Sequence, residues 1–288
     1  MKNIVCFIVF LLTIFFSSTM LKAEECSVYW LHPEQPPLVI KKGYGAGMGA
    51  IDRTEMFFKY HLKDCTHNAD GANYERIVAM MKQKDNVCCV ALYKNPEREK
   101  FVEFSIPYRV VLSNALIILE SQKGKFEPFI NNEGQISLEA LIKKGFRIGV
   151  AKGRVYRGTI DEVLNKYKGN PNIIEHTSTQ NMVGSLIAMM AANRIDATIG
   201  YPSEAQYVAK TMDNKTNIIS IPVSGMTDYG LTPVGCSKTE KGKEIIKRLN
   251  AIIMKYRLAP EFLDHEGHWL DQSGLKRFQE YSIKEFKK

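Results

Sequence analysis

The sequence predicts an α/β protein in which mainly parallel strands alternate with helices. Segments of strand composition alternate with segments of helical periodicity in both halves of the chain, an order typical of parallel sheets with crossover helices. Residues 87–92 form a short, continuous apolar run, as expected of a strand covered on both faces. The chain has 288 residues and can therefore bury two cores of ordinary domain size.

In the first half, composition and periodicity predict strands at 26–31 and 87–92 and helices at 45–62 and 71–84. The first of these helices follows a glycine-rich segment. The apolar side chains that share one side of it, and that we expect to face the core, are Ile51, Met56, Phe57 and Tyr60.

The second half repeats this pattern. It predicts strands at 115–119, 146–151 and 195–201 and helices at 137–145, 152–167 and 178–194. Open α/β sheets bind ligands at the carboxyl ends of their strands. We therefore expect binding residues in the loops that directly follow predicted strands.

The N-terminus has the features of a secretory signal peptide. Lys2 is followed by an apolar run at 5–16, which is too short for a comfortable membrane span, and a cleavage site is predicted after Ala23. The alternative is an uncleaved anchor helix. Removal of residues 1–23 leaves 265 residues and lowers the net charge from +8 to +6. The basic residues form no stripe with interleaved aromatics, so we expect no nucleic-acid partner.

Five cysteines remain after cleavage: Cys26, Cys65, Cys88, Cys89 and Cys236. In an oxidising compartment, an odd number leaves at least one thiol unpaired. The adjacent Cys88 and Cys89 would rarely bond to each other, because that ring is strained. A bridge from Cys65 to Cys88 or Cys89 is the prediction, and the spacing alone leaves the pairing open.

The loop after the strand at 87–92 carries the strongest functional signal. It reads "YKNPER" and brings Arg98 to the carboxyl end of a central strand. A guanidinium is a planar donor fork suited to a carboxylate or phosphate. Asn95 and Pro96 can start a helical turn there. The alternative is a surface ion pair between Arg98 and its neighbours Glu97 or Glu99.

At these residues the chain resembles the bacterial extracellular solute-binding proteins of the polar amino-acid-binding type. "NPER" followed by "FSIPY" resembles the "TxER…FSxPY" signature of this family, which has the type 2 periplasmic binding protein fold. "WLHPEQPPLVI", "RIGVAKG", "NRIDATIGYPSEAQYVAK" and "LNAIIMKYRLAPEFLDHEGHW" resemble further family segments in the right order, over nearly all of 26–270. "CCVALYKNPERE" is similar to a proteobacterial subgroup with a cysteine in that strand.

The resemblance implies two lobes joined by two hinge crossings that close on a small ligand. Lobe 1 would comprise 24–109 and 229–288, and lobe 2 would comprise 110–228. The crossings would lie near 108–112 and 227–233.

The family's binding positions can be matched one at a time. Arg98 matches the arginine that holds the ligand carboxylate, and Asn95 matches the preceding threonine. Gly153 and Arg154 match the Gly-Thr whose amides meet the same carboxylate. In this family an acidic residue usually binds the ammonium group of the ligand. This chain has Gly200 and Tyr201 at that position, and Glu204 follows three residues after Tyr201. A carboxylic acid without an amine, or a larger anion, is therefore as plausible a ligand as an amino acid. Aromatic residues expected to wall the cleft include Trp30, Tyr93 and Tyr201.

The function implied is that of a monomeric periplasmic protein that captures a small, anionic or amino-acid-like ligand for an ABC transporter. The alternatives are a ligand-sensing module for a membrane receptor and a dehydratase-like enzyme on the same fold. The sequence lacks nucleophile-elbow, phosphate-loop and paired zinc motifs, so we expect no enzyme, no cofactor and no metal. His265 and His268 lack the spacing of a helical zinc pair.

Overall fold

The structure, a computed structural model, describes residues 26–33, 35–177, 182–212 and 216–287, so the predicted signal peptide at 1–23 lies outside the described residues. The strands are β1 Ser27–His32, β2 Thr66–Gly71, β3 Val87–Cys89, β4 Val102–Phe104, β5 Arg109–Leu112, β6 Ala115–Leu119, β7 Ile148–Ala151, β8 Ile173–His176, β9 Ala197–Gly200, β10 Ile218–Pro222, β11 Tyr229–Thr232 and β12 Gly235–Ser237. The helices are α1 Ala50–His61, α2 Tyr74–Gln83, α3 Pro96–Glu99, α4 Lys123–Phe126, α5 Leu138–Lys144, α6 Gly158–Lys166, α7 Met182–Ala191, α8 Pro202–Thr211, α9 Glu240–Tyr256, α10 Pro260–Gly267 and α11 Gln272–Phe286.

Two five-stranded sheets define two lobes. The sheet of lobe 1 has the order β2-β1-β3-β12-β4, and the sheet of lobe 2 has the order β10-β6-β9-β7-β8. In lobe 1, β1 runs parallel to β2 and β3, whereas β12 runs antiparallel to β3 and β4. In lobe 2, β7 runs parallel to β8 and β9, whereas β6 runs antiparallel to β9 and β10. Each sheet is therefore more mixed than predicted, because the strand that enters it from the other lobe runs against its neighbours.

The chain passes between the lobes through β5 and β11, which pair with each other as a separate antiparallel ribbon. We call this ribbon the hinge. Helix α11 packs on it, so that Val110 and Leu112 of β5 share an apolar cluster with Phe278 and Phe286. The lobe limits predicted at 109/110 and 228/229 lie at the first residues of these two strands.

Strand β6 shows how the lobe 2 sheet is covered on both faces. Successive strand residues point to opposite faces of a sheet. Leu116 and Ile118 lie in one apolar cluster, with Phe126 and Leu141, while Ile117 lies in the cluster on the other face, with Leu186 of α7. The run "ALIIL" is apolar throughout because both faces are buried.

Helix α1 buries only part of the predicted face: Ile51 is fully buried and Phe57 packs on the lobe 1 core. Met56 and Tyr60 are 64% and 75% exposed, whereas Glu55 is buried. The Glu55 carboxylate lies 3.0 Å from His32 Nδ1 and 2.7 Å from Lys59 Nζ. Polar side chains can be buried when tertiary partners satisfy them, and hydrophobic periodicity does not register such partners.

The disulfides join cysteines that lie in neighbouring strands or directly before them. Cys26 is bonded to Cys65 with an S–S distance of 2.01 Å, and Cys88 to Cys236 with 2.05 Å. The predicted bridge from Cys65 to Cys88 or Cys89 is wrong. Cys65 directly precedes β2, and β1 lies between β2 and β3. Cys88 instead faces Cys236 directly across the β3–β12 pair.

Cys89 is left as a free, fully buried thiol, and burial raises its pKa to about 12. A thiol with this pKa is almost entirely protonated at pH 8 and reacts slowly with alkylating agents. We expect native protein that begins near residue 24 to resist iodoacetamide and to gain one label, at Cys89, when it is denatured without reduction. Intact-mass and peptide mass spectrometry measure this. Reduction before labelling should give five labels, and more than one label without reduction would contradict the observed pairing.

Within the described residues, no helix combines the length and the apolar character that crossing a membrane requires.

Candidate functional site

A cavity of about 270 Å³ lies between the lobes, at the loop that follows β3. Tyr93 and Arg98 line it from lobe 1, and Tyr201 and Glu204 line it from lobe 2. Arg109 of the hinge strand β5 lines it between them. The cavity therefore stands where two lobes that move about β5 and β11 would enclose a ligand.

Arg98 is held in place by the short helix α3. The side chain of Asn95 caps this helix and accepts a hydrogen bond from the Arg98 backbone amide at 2.9 Å, and Pro96 occupies the first turn. The Arg98 Nη1 atom donates to the Tyr93 carbonyl oxygen at 2.7 Å. Asn95 thus positions Arg98 through the backbone, and one guanidinium bond ties Arg98 to the loop while its other nitrogens remain as donors.

The two glutamates beside Arg98 are paired with lysines. Glu97 lies 2.6 Å from Lys100 Nζ, and Glu99 lies 2.9 Å from Lys94 Nζ. Among the described residues, Arg98 forms no ion pair with a carboxylate. The surface ion pair considered from the sequence is therefore not formed, and a half-buried guanidinium faces the cavity without a counterion.

Arg154 is neutralised within lobe 2. Its guanidinium grips Glu204 with two hydrogen bonds, of 2.7 Å and 3.3 Å, and lies 5.5 Å and 5.7 Å from the ring centroids of Tyr156 and Tyr201. Burial lowers the pKa of Arg154, but Glu204, Tyr156 and Tyr201 together outweigh burial and leave the pKa raised. Arg154 therefore holds the acid that follows β9 and is not an additional free charge.

Tyr93 and Tyr201 connect the two lobes across the cavity. Both rings line it, Tyr93 from lobe 1 and Tyr201 from lobe 2. Burial, followed by the neighbouring Tyr93, raises the pKa of Tyr201. Arg157, which precedes α6 in lobe 2, places its guanidinium carbon 5.3 Å from the Tyr93 ring centroid. A cation over an aromatic face is attractive, so the contact of Arg157 with the Tyr93 ring links the two walls.

Of the seven predicted site residues, Tyr93, Arg98 and Tyr201 line the cavity. Asn95 and Arg154 stand behind lining residues, and Trp30 and Gly153 lie away from it. Trp30 is fully buried in the lobe 1 core, stacked on Phe58, and its Nε1 donates to His67 Nδ1 at 3.1 Å. The prediction that Trp30 walls the cleft is therefore wrong, because its position in β1 points inward. Gly153 is an exposed residue with a left-handed φ of 77°, and it does not belong to the described residues that line the cavity.

An ion pair between Arg109 and Glu266, which both line the cavity, was not predicted from the sequence. Arg109 Nη1 lies 2.8 Å from a Glu266 carboxylate oxygen, and the two side chains are 8% and 5% exposed. Arg109 is the first residue after "FSIPY", but its partner lies 157 positions later, in α10. Tyr74 at the start of α2 was missed as well, although it lines the same cavity. A charged residue inside an otherwise apolar hinge strand is the signal that could have identified Arg109.

A second, larger depression does not coincide with this site. It is an open groove of about 930 Å³ between β10 and α11, and none of the predicted binding residues lines it. Among the residues that the structure describes, no group of three or more His, Cys, Asp or Glu side chains could hold a metal ion.

Comparison with known proteins identifies the fold. No family model matches the sequence, and no curated protein matches it either. The ancestral cationic amino acid solute-binding protein AncCDT-1 is similar with a TM-score of 0.60 and 16% identity, over 85% of this chain and 96% of that chain. Substrate-binding domain 2 of GlnP from Lactococcus lactis is similar with a TM-score of 0.61 and 13% identity, over 86% of this chain and 96% of that chain. The third similar structure is from Streptococcus pneumoniae and is the second substrate-binding domain of a protein assigned to an amino acid ABC transporter. It has a TM-score of 0.58 and 17% identity, over 85% of this chain and 100% of that chain.

One further likeness bears on the enzyme alternative. Another structure of AncCDT-1, with a TM-score of 0.50 and 16% identity over 85% of this chain and 95% of that chain, is described as a precursor of cyclohexadienyl dehydratase. The similar structures are mostly binding proteins.

Structural similarity at such low sequence identity shows the fold. It agrees with the two sheets and the hinge described above, which confirms the predicted fold class. The chain has the two-lobed fold of the solute-binding proteins of amino acid transport.

Proposed function

We propose that this chain is a periplasmic solute-binding protein that encloses a small carboxylate lacking an amino group and delivers it to an ABC transporter. The shared fold, the cavity between the lobes and the unpaired guanidinium in that cavity support the proposal. The signal peptide predicted at 1–23, with cleavage near Ala23, supports export. The assignment of a solved relative to an ABC transporter supports a permease as the partner.

The charges around the cavity indicate the charge of the ligand. Glu204 is held by Arg154 at 2.7 Å and Glu266 by Arg109 at 2.8 Å, so both carboxylates among the described lining residues are already neutralised. Arg98 has no carboxylate partner among the described residues. The described residues of the lining therefore carry one uncompensated positive charge, which favours an anion, and they offer an ammonium group no unpaired carboxylate.

The remaining walls favour a compact ligand with an apolar body. Tyr74, Tyr93, Tyr201 and Leu38 line the cavity together with a cis-linked Pro36–Pro37 pair. The volume of about 270 Å³ lies just below the roughly 300–1,000 Å³ typical of ligand pockets, which indicates a small molecule.

The ionisable groups of the cavity favour binding over catalysis. General acid–base chemistry needs a group whose pKa lies near the working pH. Burial raises the pKa of Tyr74 to about 12, and burial also raises that of Tyr201. Both lining glutamates are held in ion pairs. No histidine of the described residues lines the cavity. We therefore infer that the protein binds its ligand without transforming it.

Native mass spectrometry of protein purified from the periplasm tests the ligand class. The experiment measures the mass that the folded protein carries and identifies the molecule released on denaturation. We expect a small carboxylic acid without a basic nitrogen. Recovery of an α-amino acid at stoichiometric occupancy would contradict the proposed ligand class.

A further inference from the structure

The hinge end of the cavity contains two buried polar side chains from the strands that connect the lobes. Arg109 of β5 and Thr232 of β11 are direct partners in the antiparallel ribbon, and both line the cavity. Arg109 is 7% exposed and Thr232 is 3% exposed. This end of the cavity is distinct from the loop that carries Arg98, which belongs to lobe 1 alone.

Both side chains have hydrogen-bonding atoms without a partner. Arg109 donates Nη1 to Glu266, but within the described part of the chain its buried Nε has no acceptor. Thr232 Oγ1 is likewise buried without a hydrogen-bond partner there. Buried polar groups in native proteins are almost always paired, so an unpaired donor and an unpaired hydroxyl on adjacent strands call for a third group.

The charge at this end of the cavity restricts what that third group can be. Glu266 already neutralises Arg109, and its carboxylate lies 2.8 Å from the guanidinium. A second carboxylate bound at Arg109 would approach Glu266 and be repelled in a poorly solvated site. An uncharged oxygen avoids this repulsion and can still accept hydrogen bonds from the guanidinium and the hydroxyl.

We propose that the ligand carries an uncharged oxygen acceptor, such as a ketone, amide or hydroxyl oxygen, that is held by Arg109 and Thr232 at the hinge. This inference rests on the proposed function, in which Arg98 binds the carboxylate of the same ligand. The substrate class is then a carboxylate with a neutral oxygen at its other end. Because the acceptor meets both hinge strands, it also contacts the two chain segments that must bend when the lobes close.

Three acids of nearly equal shape separate the possibilities: 4-oxopentanoate, 4-methylpentanoate and succinate. At carbon 4, 4-oxopentanoate carries an uncharged ketone oxygen, 4-methylpentanoate carries an apolar methyl branch, and succinate carries a second carboxylate. Calorimetric titration of the wild-type protein should give the tightest binding for the oxo acid, by about tenfold or more over each of the others, since the hinge donors are satisfied only there. A second set, longer by one carbon (5-oxohexanoate, 5-methylhexanoate and glutarate), tests a larger distance between the carboxylate and the neutral oxygen.

The variant Thr232→Val tests the assignment to the hinge. It should reduce the preference for the oxo acid over the methyl acid by about threefold or more, and it should leave the stability of the ligand-free protein unchanged or higher, because no bond within the protein is lost. Thr198→Val is the matched control, since Thr198 Oγ1 is buried in β9 and donates to the Gly149 carbonyl at 2.9 Å. The control should lower stability and leave the preference unchanged.

The outcomes separate this inference from the proposed function. If the acids bind but the oxo, methyl and dicarboxylate forms bind equally, the hinge groups hold only water and the inference fails while the proposed function stands. Tighter binding of succinate or glutarate than of the oxo acids would also overturn it. If Thr232→Val keeps the full preference for the oxo acid over the methyl acid, the neutral oxygen binds elsewhere and the inference is overturned as well. If none of the six acids binds at millimolar concentration, the inference and the proposed ligand class both fail.

Discussion

Replacing Arg109 by alanine lowers the free energy of unfolding by about 3–5 kcal/mol, the effect expected when one partner of a buried ion pair is removed. The variant leaves Glu266 as an unpaired carboxylate in a site where its side chain is 5% exposed. It also removes the stem of a residue in the hinge strand on which α11 packs. Chemical denaturation of both proteins, followed by circular dichroism, measures the difference.

The double variant Arg109→Met/Glu266→Met is the control for this prediction. Replacing a whole buried ion pair by apolar side chains of similar volume is often neutral or stabilising, so the double variant should recover most of the loss. Removing Lys100, which pairs with Glu97 on the surface, should change stability little. A double variant no more stable than Arg109→Ala would show that the loss comes from packing, and the assignment of a stranded charge would then be wrong.

Replacing Arg98 by alanine weakens ligand binding by about 2–5 kcal/mol, or roughly thirtyfold or more, if its guanidinium holds the ligand carboxylate inside the closed cleft. Arg98→Lys should lose much of the same affinity, because an ammonium group cannot reproduce the two-pronged contact. Calorimetric titration with the molecule released from the wild-type protein measures both variants.

Folding should barely change in either Arg98 variant. Arg98 contacts the Tyr93 carbonyl and the Asn95 side chain, both within its own loop. Lys100→Ala is the matched control, since Lys100 lies two residues later and pairs only with the exposed Glu97 among the described residues. Wild-type affinity in Arg98→Ala would remove Arg98 from the site, whereas equal losses in Arg98→Ala and Lys100→Ala would indicate a general electrostatic effect.

The architecture could be predicted because it depends on local patterns. Alternating strand and helix segments indicate an α/β fold, and the wholly apolar "ALIIL" run indicates a strand buried on both faces, as β6 is. The buried face of α1 could not be predicted in this way. Thr54 and Glu55 lie inside because Ala50, His32 and Lys59 satisfy them.

The candidate site was predictable only in part, for a similar reason. Arg98 and Asn95 belong to one short loop motif, so a sequence resemblance can suggest them. The pairs Arg109–Glu266 and Arg154–Glu204 join elements 157 and 50 residues apart, and only the folded chain shows that each lining carboxylate has a partner. The pairing of Cys88 with Cys236 depends likewise on a strand from the far end of the chain.

The central claim is that the cleft holds a carboxylate and that its described lining residues leave no unpaired acid for an ammonium group. Calorimetric titration of the wild-type protein with matched pairs of molecules tests it most directly: 4-methylpentanoate with leucine, glutarate with glutamate, and 3-phenylpropanoate with phenylalanine. Each pair differs only by the α-amino group. In every pair that binds, we predict that the acid without the amine binds at least about tenfold more tightly, since the ammonium would be desolvated without a counterion. Tighter binding of the amino acids would contradict the account.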